Sequence, residues 1–232
     1  MNITLTKYKI EADVPESLEF IFVSDLHGCD NEPILKIIAE TPHDAVLIGG
    51  DLIHDGNNYR SGLDFLKSVS NNGEICFMSL GNHEKRHPGD IKRILRDCGA
   101  TLLDDSYVIF RGIVIAGLTS GEFHGKDPDL TYLKSLTLLD PFKLLLCHRP
   151  EYFPKYIKDL PIDLTLSGHA HGGQWRFFGK GLYAPGQGIF PKYTSGIYEN
   201  RLIVGRGLGN GHLIPRINNP PEILVISILP KN

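Results

Sequence analysis

Apolar residues arrive along this chain in short packets, each followed by a segment of helical period. FIFVS (20–24) leads into EPILKIIAE, AVLIG (45–49) into GLDFLKSVS, and EICFMSL (74–80) into DIKRILRDCG. Nearly continuous apolar runs suit strands buried on both faces, while the segments between them repeat apolar positions every three or four residues. The alternation predicts βαβ units and a largely parallel sheet.

Around 101–119 the pattern changes to two closely spaced strands, LLDDSYVIF and GIVIAGL, with Arg111-Gly112 as the hairpin turn. A helix is expected within 129–140, a strand at KLLLC (143–147), a helix near 151–159, and a strand at DLTLS (163–167). From 172 onward the chain is rich in Gly and Pro, and its strands RLIVG and EILVISIL are expected among hairpins and loops that close a sheet edge. No linker, repeat or low-complexity tract divides the 232 residues, so one domain over 1–232 is expected.

Composition narrows the classes. Lys and Arg number 24 against 27 Asp and Glu, a formal net charge of −3 with no basic tail, so bulk charge gives no support to nucleic-acid binding. The N-terminal MNITLTKYKIEADVPESLEF is mixed and polar, without the apolar core of a signal peptide, and no stretch approaches a membrane span. Cys29, Cys76, Cys98 and Cys147 lack CxxC spacing, which points to reduced structural thiols and a cytoplasmic location.

The chemistry lies just beyond the apolar packets. FIFVS is followed by Asp25-Leu26-His27, AVLIGG by Asp51, MSLG by Asn82-His83, LLLC by His148, and LTLSG by His169-Ala170-His171. Ligands of open α/β sheets bind outside the carboxyl ends of the strands, so these fragments converge on one crevice. Taken singly, an Asp after a strand caps a helix and a His is an ordinary polar residue. Together they supply two carboxylates, four imidazoles and an amide oxygen, more donors than one ion needs and the right number for two ions sharing a carboxylate. A nitrogen and oxygen set without thiolate suits Mn, Fe, Zn or Ni.

SDLHG, GGDL, GNHE, CHRP and GHAHGGQ resemble, in order and spacing over residues 20–174, the motifs of calcineurin-like metallophosphoesterases. The ending GHAHGGQ, CHRPE, and the tail GLGNGHLIPRINNPPEI are more similar to the bacterial phosphodiesterase branch, which includes membrane-associated relatives, than to protein phosphatases. The resemblance implies a four-layer αββα sandwich with mixed sheets and two divalent ions, Mn²⁺ first and Fe, Zn or Ni as alternatives. By motif position Asp25, His27 and His171 would hold one ion, Asn82, His148 and His169 the other, and Asp51 would bridge them. His83 would face the substrate as proton donor, and Arg149 is a candidate phosphate contact. Within GHAHGGQ, Gly168 and Gly172 are expected to relax the backbone so that His169 and His171 part toward different ions.

One departure stands out. Relatives commonly read GDLVD where this chain reads GDLIHDG, so His54 occupies the expected carboxylate position and Asp55 lies one residue later. The implied activity is a phosphodiesterase acting on a small-molecule or lipid-headgroup phosphate ester, with a phosphomonoesterase or phosphoprotein phosphatase and a non-catalytic metal-binding scaffold as alternatives. Substrate choice falls to loops at 120–130 and 175–220, whose Phe123, Trp175, Phe177, Phe178 and Tyr183 form an aromatic rim with no readable code. Neither the oligomeric state nor peripheral membrane association is encoded in a recognisable pattern.

Overall fold

Sixteen strands and four longer helices make up the computed structural model, which describes residues 2–54, 59–210 and 215–231. In chain order they are β1 (Thr4–Ala12), β2 (Leu18–Val23), α1 (Glu32–Glu40), β3 (Ala45–Ile48), α2 (Tyr59–Asn71), β4 (Cys76–Met78), α3 (Ile91–Asp97) and β5 (Thr101–Leu102). Then follow β6 (Ser106–Phe110), β7 (Ile113–Leu118), α4 (Leu130–Leu136), β8 (Lys143–Cys147) and β9 (Leu164–Ser167). Four two-residue strands come next, β10 (Arg176–Phe177), β11 (Lys180–Gly181), β12 (Tyr183–Ala184) and β13 (Gly188–Ile189), before β14 (Gly196–Tyr198), β15 (Leu202–Val204) and β16 (Glu222–Pro230).

Two six-stranded mixed sheets result, ordered β1-β16-β2-β3-β4-β5 and β14-β15-β9-β8-β7-β6. Strand periodicity shows how they stack, because successive side chains point to opposite faces. Phe20 and Phe22 of β2 join Leu144 and Leu146 of β8 in an inter-sheet core. Ile21 and Val23 instead meet Ile34 and Ile38 of α1 and Leu66 of α2. Leu145 and Cys147 turn outward onto Leu133 and Leu136 of α4 and onto Phe153 and Ile157 of a short helical segment. Three apolar interfaces separate four layers, the αββα order expected from the motifs. The ring of Phe22 lies against Gly49, where an added Cβ would sit 2.5 Å from it. Truncating this ring to Ala would open a cavity costing about 3–5 kcal/mol.

The parallel strands β2, β3 and β4 of one sheet, and β7, β8, β9 and β15 of the other, bring their carboxyl ends to one rim. His148 Nδ1 lies 2.8 Å from the Gly49 carbonyl, and the His169 amide donates to the Asp25 carboxylate at 3.1 Å, tying the two sheets together there.

Several elements differ from the sequence expectation. The N-terminal stretch, polar on average, forms β1, in which partly buried and exposed positions alternate as on an edge strand. The run at 101–110 is two strands in different sheets: β5 ends the first, a turn through Asp104-Asp105 with Asp105 at φ 42° intervenes, and β6 begins the second. EILVISIL closes no edge; β16 lies between β1 and β2, its continuous apolar run buried on both faces. The helices expected at 129–140 and near 151–159 contract to Leu130–Leu136 and Phe153–Ile157. The Arg111-Gly112 hairpin forms as expected, with both residues at positive φ and Phe110 paired to Ile113. No helix among the described residues is long and apolar enough to cross a membrane.

Candidate metal centre

Each strand that ends at the rim releases its chain into a tight turn, and the polar residues of those turns are buried. Asp25, His27, Asp51, Asn82, His83, His148, His169 and His171 are all buried. Five of them adopt left-handed backbone: Asp25 (φ 52°), His27 (47°), Asp51 (51°), His169 (63°) and His171 (46°). Asp and His tolerate that region better than most residues, yet five such positions in one cluster store strain that the surrounding structure must hold.

The turns sort the side chains into sets. Asp25, His27 and His171 form one group with donor atoms within 4.8 Å of one another; Asp51, His148 and His169 form a second. His171 Nε2 lies 3.5 Å from Asp25 Oδ1. Asp51 Oδ2 stands between the groups, 3.0 Å from His148 Nε2 and 3.8 Å from His27 Nε2. His169 Nδ1 is 3.2 Å from His148 Nε2, so the two histidines of GHAHGGQ enter different groups. Gly172 makes this possible at φ 63°, whereas Gly168 serves by space alone: a Cβ there would lie 2.4 Å from Asp25 Oδ2.

Buried polar atoms without partners are rare because leaving them unsatisfied is costly. Here both ring nitrogens of His27, Nε2 of His169 and Oδ1 of Asn82 have no hydrogen-bond partner among the described residues. Orphaned lone pairs converging beside two carboxylates fit divalent cations, and the set contains no thiolate. Electrostatics agree. Burial, reinforced by its histidine neighbours, holds His27 down to about 3, and burial next to His148 holds His169 well below the usual imidazole range. Burial opposes charge on His148 too, but the Asp51 carboxylate overrides it and lifts that imidazole to about 10. Asp51 is held well below the carboxylate range in spite of its burial, by His148 and then His27. A cation bound here would displace the shared proton of the Asp51–His148 pair.

His83 sits at the mouth of the cluster. Its amide donates to Asp51 Oδ1 at 2.8 Å, and its ring meets that of His27 edge-on at 4.5 Å between centroids. His54 stacks on His83 at 5.6 Å and forms a third histidine group with it and His27. Asp55 lies outside the described residues. Arg149 is engaged within the protein: it is ion-paired with Glu122 and Glu151 and donates to Ser120 Oγ at 3.3 Å.

Three residues that sequence reasoning passed over hold the turns in place. Glu84 is buried and accepts from the amides of Gly81 (2.8 Å), Leu52 (2.8 Å), Asp51 (3.0 Å) and Ile53 (3.3 Å), stapling two rim turns together. Burial and the neighbouring Asp51 charge push its carboxyl up to about 7. Its signal was the acidic residue of GNHE. Asn219 donates to the carbonyls of His171 (2.7 Å) and Gln174 (3.0 Å). Arg216 places Nη2 3.4 Å from His171 Nδ1, and burial lowers it to about 10. Both belong to a loop some 45 residues beyond the histidines, which no local pattern connects to them.

Comparison with known proteins follows the same residues. The family model for calcineurin-like phosphoesterases matches residues 18–173. A metallophosphoesterase of Aquifex aeolicus is 31% identical over 245 residues, covering 96% of this chain and 90% of its own. Phosphodiesterase YaeI of Escherichia coli is 25% identical over 239 residues, 91% of this chain and 82% of its own. UDP-2,3-diacylglucosamine pyrophosphatase LpxG of Chlamydia muridarum is 34% identical over 149 residues, 59% of this chain and 44% of its own.

Proposed function

The chain belongs to the calcineurin-like phosphoesterase family, and from that premise we propose that it is a two-metal phosphodiesterase formed by all 232 residues as one catalytic unit. The observation that carries this reading is Asp51, whose single oxygen Oδ2 is within reach of His148 on one side and His27 on the other. Asp25, His27 and His171 would hold one ion, Asn82, His148 and His169 the other, and Asp51 would be shared between them. Mn²⁺ is the first expectation, with Fe, Zn or Ni as alternatives for such a donor set. When bound, the pair of ions supplies an acidified water and neutralises phosphoryl oxygens.

The protein's own groups do the rest. Asp51 and Asp25 carry the negative charge of the pocket floor, and the neutral amide of Asn82 adds a ligand without adding charge. His83, anchored through its amide to Asp51, turns its imidazole to the substrate and protonates the leaving oxygen. His54 stacks on that ring where relatives use a carboxylate, and either it or Asp55, the next residue, supports the imidazole. Arg149, held by Glu122 and Glu151, reaches phosphate only by exchanging those partners and is the weaker contact.

The substrate class is a small-molecule or lipid-headgroup phosphate ester, which the names of YaeI and LpxG support. Four free cysteines, three of them buried, favour a reducing compartment such as the cytoplasm. The test is hydrolysis by metal-reconstituted protein of bis-p-nitrophenyl phosphate against p-nitrophenyl phosphate. Diester preference is the expected result. Monoester preference would make the chain a phosphomonoesterase or protein phosphatase, and no turnover with two ions bound would make it a scaffold.

A further inference from the structure

Immediately after the last histidine of the rim the chain builds two small hairpins, β10–β11 and β12–β13, and puts exposed aromatic residues in left-handed backbone at the tip of the first and at the base of the second. Phe178 turns the first hairpin at φ 50° and is fully exposed; Phe190 ends the second at φ 55° and is 80% exposed. Left-handed backbone strains a bulky L-residue, and a bare aromatic ring in water gains nothing from the fold. Glycine or asparagine would serve both turns better. The flanking residues repeat the theme, for Ile189 is 71% exposed and Phe177 half exposed.

The charge along this segment of the chain is one-sided. Residues 172–195 contain Arg176, Lys180 and Lys192 and no Asp or Glu, in a chain whose formal net charge is −3. Lys180 and Lys192 are exposed, and with Gly179 and Phe190 they line one groove of about 440 Å³, which puts the base of the second hairpin beside the tip of the first. Arg176 is the anchor: it donates to the Gly172 carbonyl at 2.7 Å, one residue from His171. The hairpins are therefore fixed to the metal-centre turn.

We infer that this pair of hairpins docks on an anionic lipid surface, with Phe178 and Phe190 inserted at the headgroup boundary and Lys180 and Lys192 against lipid phosphates. Exposed aromatic rings flanked by lysines suit an interface that is apolar below and anionic above. They do not suit a second copy of the chain, since a two-fold contact would press the same lysines against each other. The docking is read by binding alone, so its failure is distinct from any failure of the phosphodiesterase reading.

The probe is a vesicle of equal parts phosphatidylglycerol and phosphatidylcholine, with pure phosphatidylcholine as neutral control. Binding is followed by co-sedimentation and by emission of Trp175, the only tryptophan, which leads into the first hairpin. The intact chain should sediment with anionic vesicles and shift Trp175 emission to the blue. F178N/F190N, which suits both turns, should bind at least about tenfold more weakly while keeping the native far-UV circular dichroism. K180E/K192E should lose at least about fivefold in affinity for anionic vesicles and keep its weak affinity for neutral ones. The proposal is overturned if the intact chain ignores anionic vesicles, if F178N/F190N binds as well as native protein, or if light scattering finds a dimer that F178N/F190N dissolves.

Discussion

The rim turns and the two hairpins use the same device to opposite ends. Both place L-residues in left-handed backbone, Asp25, His27, Asp51, His169 and His171 in the rim and Phe178 and Phe190 in the hairpins. In the rim the strain aims buried donors at one another and is held by Glu84, Asn219 and the inter-sheet hydrogen bonds. In the hairpins it aims rings at solvent. Strain of the first kind is resolved inside the protein, and strain of the second kind calls for an outside surface.

Substitutions sharpen that contrast in order of effect. Asp51→Asn removes the shared carboxylate charge and should lower diester hydrolysis by at least about 10³-fold. Elemental analysis should then find fewer than two ions per chain; full activity with two ions retained would break the site assignment. His83→Ala should keep both ions and lose about 10²–10⁴ in turnover, a separation of metal content from rate that a structural histidine would not produce. Glu84→Gln turns an amide donor toward four backbone donors, so the rim should loosen. A loss of about 10–100-fold in metal affinity or activity, as for outer-shell partners elsewhere, should come with a lower melting temperature. At the other extreme, Phe178→Asn relieves a hairpin turn and should stabilise the chain by about 0.5–1 kcal/mol in chemical denaturation. A destabilisation of that size would mean that the ring packs on something and that the two regions are not different after all.

The rim was legible because its information is local. Each ligand stands within a few residues of the apolar packet that ends before it, and the parallel sheet does the gathering. Assignment of His171 and His169 to separate groups came from the motif resemblance, because the glycines of GHAHGG show that the chain turns but not where each imidazole goes. What was hidden depends on distant segments. Nothing in TLTKYKIEA announces that it pairs residue for residue with Glu222–Pro230. The division of 101–110 between two sheets hangs on one turn at Asp105. Asn219 and Arg216 act on a loop far back in sequence. Gly168 was read as a flexible position, but its want of a side chain is a matter of room for Asp25.

The position of β16 sets a timetable for the molecule. Its backbone joins β1 to β2, and the segment just before it closes over the Asp25 turn, where the amides of Leu208 and Gly209 donate to the carbonyls of Ser24 and Asp25. During synthesis, therefore, the earliest rim residues to leave the ribosome wait beside an incomplete sheet until β16 arrives. The Asp25 turn is completed only once residues 208–230 have joined the fold.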